Sequence, residues 1–156
     1  MRIYVDADGC PVVDLVLRLA GRFGVPVVLV CDTAHQFHRP GCQVITVSKG
    51  ADSADFALVN RLCPGDLAVT QDYGLAAMCL ARRALPLSQD GALYTQENID
   101  GLLAVRHTAQ KIRRSGGRLK GPSKRTPKQN EDFERTLTSL LKEMQEKEQI
   151  NGEKED

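Results

Sequence analysis

Four aspartates stand where their carboxylates could act together. Asp6 and Asp8 directly follow the first apolar run, Asp72 directly follows a later one, and Asp55 sits near the start of a helix between them. Asp52 lies three residues before Asp55, on the same face of that helix. Asp90 follows a further short apolar run, in the turn sequence Ser88-Gln89-Asp90-Gly91. Ionised carboxylates held close together repel unless protons or cations balance them. Hard oxygen donors without clustered histidine or thiolate suit Mg²⁺ or Mn²⁺ better than zinc. Such an ion can orient water, lower its pKa and stabilise charge developing on a phosphodiester. Asp6, Asp8, Asp55 and Asp72 are therefore the candidate metal ligands and catalytic groups, with Asp52 and Asp90 as possible additional acids. Three of them have an ordinary alternative: Asp8 can cap the following turn, Asp52 can favour a helix N-terminus, and Asp90 can simply make its turn.

The elements that must position these acids alternate. Residues 2–5 predict a strand, and Pro11 opens a helix with Val12, Leu15, Val16, Leu19 and Phe23 as candidates for its buried face. Residues 25–30 form a second strand, too apolar to be half exposed, with Pro26 at its start. A third strand spans 43–47, a helix 51–62, a fourth strand 67–70, a short helix 74–82 and a fifth strand 84–87. This order predicts an α/β fold, a three-layer α/β/α sandwich with a mainly parallel sheet and right-handed crossovers. Ligands of such sheets bind beyond the C-terminal strand ends at a switch of topology, which puts Asp6, Asp8 and Asp72 in one crevice.

A helix over 96–114 follows, then a glycine- and base-rich loop over 115–125. Thr126-Pro127-Lys128-Gln129 is a helix start, with Thr126 as cap, Pro127 at the first position and Gln129 spaced for a capping box. Phe133, Leu137, Leu140, Leu141 and Met144 line one stripe, which must pack on the domain or on a partner chain, including a second copy. One domain is expected over 1–143, with an acidic helical extension over 144–156 fraying at 151–156.

Arg113, Arg114, Arg118, Lys120, Lys124, Arg125 and Lys128 form a run of seven cations without an acid. They could track phosphate oxygens, making RNA a candidate partner, or serve as a solvated surface. Ser48, Lys49 and Gln71 are phosphate-orienting candidates at strand ends. His35 and His38 could assist proton transfer if their loop, beginning Thr33-Ala34, folds over the pocket, and Tyr73 could offer a ring to a base.

The blocks Asp6-Ala7-Asp8-Gly9-Cys10-Pro11-Val12, Ser53-Ala54-Asp55 and Thr70-Gln71-Asp72-Tyr73-Gly74-Leu75-Ala76 resemble the YaiI/YqxD family of uncharacterised bacterial proteins, as do Arg114-Ser115-Gly116-Gly117 and Gly121-Pro122. The resemblance runs from residue 1 to about residue 143, with its blocks in order. It implies a PIN-like fold, related to domains that often cleave RNA with acidic residues and Mg²⁺ or Mn²⁺. On that resemblance Asp6 matches the acid after the first strand, Asp55 the central helical acid and Asp72 the acid after the fourth strand. Asp8 is an additional acid of the family, and Asp90 is the candidate for the fourth.

Composition narrows the classes that remain. With 42% hydrophobic residues, 26% charged residues and a net charge of +1, the chain is of the soluble globular class rather than a disordered polyelectrolyte. It has neither a signal-peptide pattern nor an apolar run of membrane-spanning length, so a cytoplasmic, non-membrane protein is expected. Its five cysteines include no C-x-x-C pair, so reduced, mostly core thiols are expected rather than disulfides or a zinc knuckle. The expected function is a divalent-metal-dependent ribonuclease. The alternatives are a non-catalytic RNA-binding or regulatory module and a nucleotide phosphohydrolase.

Overall fold

A computed structural model of the protein describes residues 1–32, 39–48, 50, 53–118 and 124–155. Among them five strands and five helices follow in the order β1 (Ile3–Asp6), α1 (Val13–Phe23), β2 (Val27–Asp32), β3 (Gln43–Val47), α2 (Ser53–Val59), β4 (Leu67–Val69), α3 (Tyr73–Ala81), β5 (Leu85–Leu87), α4 (Gln96–Arg114) and α5 (Pro127–Glu155). The strands form one sheet in the order β3-β2-β1-β4-β5, and every pairing is parallel. The three-layer sandwich is thus present.

Alternation along each strand divides the core. Ile3 and Val5 of β1, Leu29 and Cys31 of β2, and Leu67 and Val69 of β4 face α1 and α5. Tyr4, Val28, Val30 and Ala68 face the other way, onto Leu58 and Val59 of α2 and Leu75 and Cys79 of α3. A third cluster of Ala76, Tyr94 and Ile99 seats α4 on α3. Four of the five cysteines lie in or against these clusters while Cys63 is exposed, and all five are free thiols.

Several boundaries depart from the sequence reading for local reasons. Strand β2 starts at Val27 because Pro26 has no N–H; its carbonyl instead accepts from Ile3 N at 3.0 Å. Pro11 lies in a turn that follows the one closed by Cys10 N on Ala7 O at 3.1 Å, so α1 begins two residues later, at Val13. Helix α3 begins at Tyr73 because Asp72 caps it, with Oδ1 accepting from Gly74 N at 2.8 Å and Leu75 N at 3.1 Å. Helix α4 carries a capping box not expected from the sequence, Thr95 with Asn98.

Helix α5 packs on the domain itself. Phe133, Leu137 and Leu141 are fully buried against α1, with Leu140 and Met144 at the edge. Each buried side chain contributes about 1.5–3 kcal/mol. At its start Gln129 Oε1 accepts from Thr126 N at 2.7 Å, one half of the expected capping box. Beyond Met144 the side chains described are exposed, yet the helix continues to Glu155 where fraying was expected. Glu, Lys and Gln are good helix formers, and no proline interrupts them. None of the described helices is long and apolar enough to cross a membrane.

Candidate functional site

The strand order places a switch of topology at β1. The chain leaves β1 for β2 and β3 on one side, then returns to β4 and β5 on the other. Asp6 ends β1, while Thr70 and Asp72 follow β4 beside it. This is the crevice that parallel sheets use for ligands.

One hydroxyl organises it. Thr70 is fully buried. Its Oγ1 donates to Asp6 Oδ2 at 3.0 Å and accepts from Asp72 N at 3.0 Å, joining the ends of the two strands. Tyr94 Oη donates to Thr70 O at 3.1 Å from beneath, and burial drives that phenol pKa upward. Asp8 lies on the other flank of Asp6, with Oδ2 accepting from Asp32 N at 3.1 Å, which ties the β1 loop to the end of β2.

Burial raises the Asp6 pKa above the ordinary carboxylate value. The Thr70 hydrogen bond opposes the shift, and the charges of Asp8 and Asp72 add to it. Asp6 therefore feels both neighbouring acids across the switch point. Asp55, in the first turn of α2, is not among the acids whose charge acts on Asp6; its charge and that of Asp6 both act on Cys79, whose thiol is pushed up to about 12, an effect led by burial. Asp90 takes a different place. Its Oδ1 accepts from Arg125 Nη1 at 3.0 Å, and Asp6 registers no effect of its charge.

Two arginines border the acids. Arg106 of α4 donates through Nη1 to Asp72 Oδ1 at 3.3 Å. Arg125 is held by Gln89 O at 2.6 Å and Asn130 Oδ1 at 2.8 Å as well as by Asp90. Its side chain thus serves the structure, fixing the turn after β5 to the start of α5. The same turn meets α5 at Gly91, where φ is +85° and a Cβ would lie 2.5 Å from Asp132 O. Cys10 stands between Asp6, Gln89 and Arg125, and burial pushes its thiol up to about 11, so it is protonated at neutral pH and no thiolate nucleophile is present there.

The remaining phosphate candidates are dispersed. Gln71 Oε1 accepts from Gln89 N at 2.8 Å, so its amide nitrogen is the end turned outward. Ser48 is exposed beyond β3, two strands from β1. Arg113 and Arg114 end α4, and with Arg118, Lys124 and Lys128 they are exposed. Lys49, Asp52, Lys120, His35 and His38 lie outside the described residues. Sequence reasoning missed Thr70 and Arg106. A hydroxyl at a strand end was a usable signal for the first; nothing local marks the second.

Among the described residues, no three His, Cys, Asp or Glu side chains gather closely enough to form a ready-made metal cage. Magnesium does not require one, since it keeps several waters and is usually bound through one or two carboxylates with substrate phosphate. The donor set fits that mode. Asp6 uses Oδ2 for Thr70 and Asp72 uses Oδ1 for its cap, and their second oxygens carry no hydrogen bond among the described residues.

Relatives share nearly the whole chain. A UPF0178 protein of Exiguobacterium sibiricum is 57% identical over 92% of this chain and 98% of its own. Those of Ruminiclostridium cellulolyticum and Enterococcus faecalis are 46% and 43% identical, each over 91% of this chain and over 93% and 98% of their own. No solved structure matches. The family model described as "Uncharacterized BCR, YaiI/YqxD family" matches residues 4–143, and the chain belongs to that family.

Proposed function

We propose that the protein is a PIN-like phosphodiester hydrolase that cleaves RNA with the help of Mg²⁺ or Mn²⁺. The observation that carries this reading is the setting of Asp6: a half-buried carboxylate at the switch point, joined through Thr70 to Asp72, with its pKa raised by burial and by the charges of Asp8 and Asp72. A divalent ion would relieve that repulsion, lower the pKa of a bound water and offset charge building on the phosphate. Asp6 and Asp72 would hold it through their second oxygens, with Asp8 and Asp55 as supporting acids.

The chain's own groups have definite tasks in this reading. Thr70 holds the Asp6 carboxylate by a hydrogen bond that favours its ionised form. Asp72, fixed at its helix cap, keeps a constant orientation as substrate enters. Arg106 pairs with Asp72 and would transfer its donors to a phosphate oxygen on binding. The exposed cations of α4 and the loop beyond it would draw the polyanion toward the crevice.

The test is cleavage of a mixed RNA panel by the purified protein with Mg²⁺, with Mn²⁺ or with chelator, alongside Asp6→Asn. Cleavage that needs metal and disappears in the variant supports the reading. The dispersed carboxylates favour one competitor, an RNA-binding module without turnover. It would show salt-sensitive RNA affinity, weakened by neutralising Arg118 and Lys124, with no cleavage under any of these conditions.

A further inference from the structure

A second feature opens beside the acids. Between the ends of β4 and β5 and helix α4 lies a cavity of about 180 Å³, lined by Gln71, Tyr73, Ser88, Asp90, Tyr94 and Leu102. Its floor is aromatic: the Tyr73 and Tyr94 rings meet edge to face with centroids 6.0 Å apart. Its rim is polar and oriented. The Gln71 carbonyl is fixed by Gln89 N, so the amide offers its N–H donors. Arg125 holds one oxygen of Asp90, and the other carries no hydrogen bond among the described residues. Ser88 Oγ accepts from Asp90 N and Ala92 N, which aims its proton elsewhere.

The cavity lies next to the Asp72–Arg106 pair along the chain. Gln71 and Tyr73 flank Asp72 in the chain, and Leu102 precedes Arg106 by one turn on the same face of α4. Two residues lining the cavity are thus the chain neighbours of Asp72, which pairs with Arg106.

We propose that this cavity is a subsite for one unpaired base of a single-stranded nucleic acid, whose adjoining phosphate lies at Arg106 and Asp72. An aromatic wall with fixed donors and acceptors suits the face and edge of a base. A base inside a duplex presents neither, since its face is stacked and its edge is paired. The proposal rests on the phosphodiester reading for where the phosphate goes, and it adds that the substrate is single-stranded.

The experiment measures binding in chelator, where metal-dependent turnover cannot intervene. The probe is a fluorescein-labelled RNA of about twelve nucleotides, tested single-stranded and as a blunt duplex. The single strand should bind about tenfold more tightly than the duplex. Ala92, exposed at the cavity mouth, offers a variant that fills the space: Ala92→Leu should weaken single-strand binding about tenfold, the loss of one stacked base. Tyr73→Ala should do the same and Tyr73→Phe should restore affinity. Duplex binding as tight as single-strand binding, or an Ala92→Leu affinity within about twofold of the original, overturns the proposal. Cavity-dependent binding without metal-dependent cleavage keeps the subsite and removes the hydrolase. Cleavage that Ala92→Leu leaves intact removes the subsite and keeps the hydrolase.

Discussion

Two carboxylates at opposite ends of the same strands differ in what surrounds them. Asp66, at the N-terminal end of β4, is buried and accepts from Arg2 N at 3.0 Å and Cys63 N at 2.9 Å. It stitches β1 to the turn before β4. Asp6, at the C-terminal end of β1, has one hydrogen bond from Thr70 and faces the charges of two other acids. A buried carboxylate surrounded by amides is a structural device. A half-buried one facing acids is costly to the fold, and cation chemistry is what would offset that cost.

Substitutions sharpen the contrast. The largest expected effect is on turnover: Asp6→Asn should cut metal-dependent RNA cleavage by about 10²–10⁴-fold while leaving the fold intact. Next in size, Asp66→Ala should destabilise the protein by about 2–4 kcal/mol, since two backbone donors lose their acceptor, and should leave turnover per folded molecule unchanged. Denaturant unfolding paired with cleavage rates checks both. Equal loss of stability in the two variants would erase the distinction.

Thr70→Val should have a smaller and more specific effect. The Thr70 bond lowers the Asp6 pKa, so removing it should raise that pKa further and move the acidic limb of the pH–rate profile to higher pH. Thr70→Ser should restore the limb. Because the folded pKa of Asp6 is raised, its favourable contribution to stability is fully present below 3.8 and is lost as pH rises through the folded value. Asp6→Asn should accordingly raise the melting temperature at pH 7, with the gain shrinking toward pH 4. The smallest effect is expected of Arg106→Ala: a several-fold weaker RNA affinity, with the slope of log affinity against log salt reduced by about one.

How much of this was legible follows from the range of each interaction. Asp6, Asp8 and Asp72 could be found because ending a strand is a local property, and the parallel arrangement then brings strand ends together. Thr70, Arg106 and Arg125 were not placed because their partners lie 64, 34 and 35 residues away. Arg125 shows the limit clearly. It belongs to a basic run that reads as a phosphate-binding strip, yet it closes the turn at Asp90. Asp90 itself reads as a fourth acid and as a turn residue, and its pairing with Arg125 sets it apart from Asp6. The α5 stripe read as packing on either the domain or a partner, and α1 is what covers it.

The central claim is that the acids at the β1–β4 switch point take up a divalent cation. It is tested most directly by thermal unfolding at pH 7 across a Mn²⁺ titration, comparing the unaltered protein with Asp6→Asn. The melting temperature of the unaltered protein should climb with Mn²⁺ as the ion stabilises the folded state, and that of Asp6→Asn should stay flat. No rise in the unaltered protein, or an equal rise in both, would contradict the account.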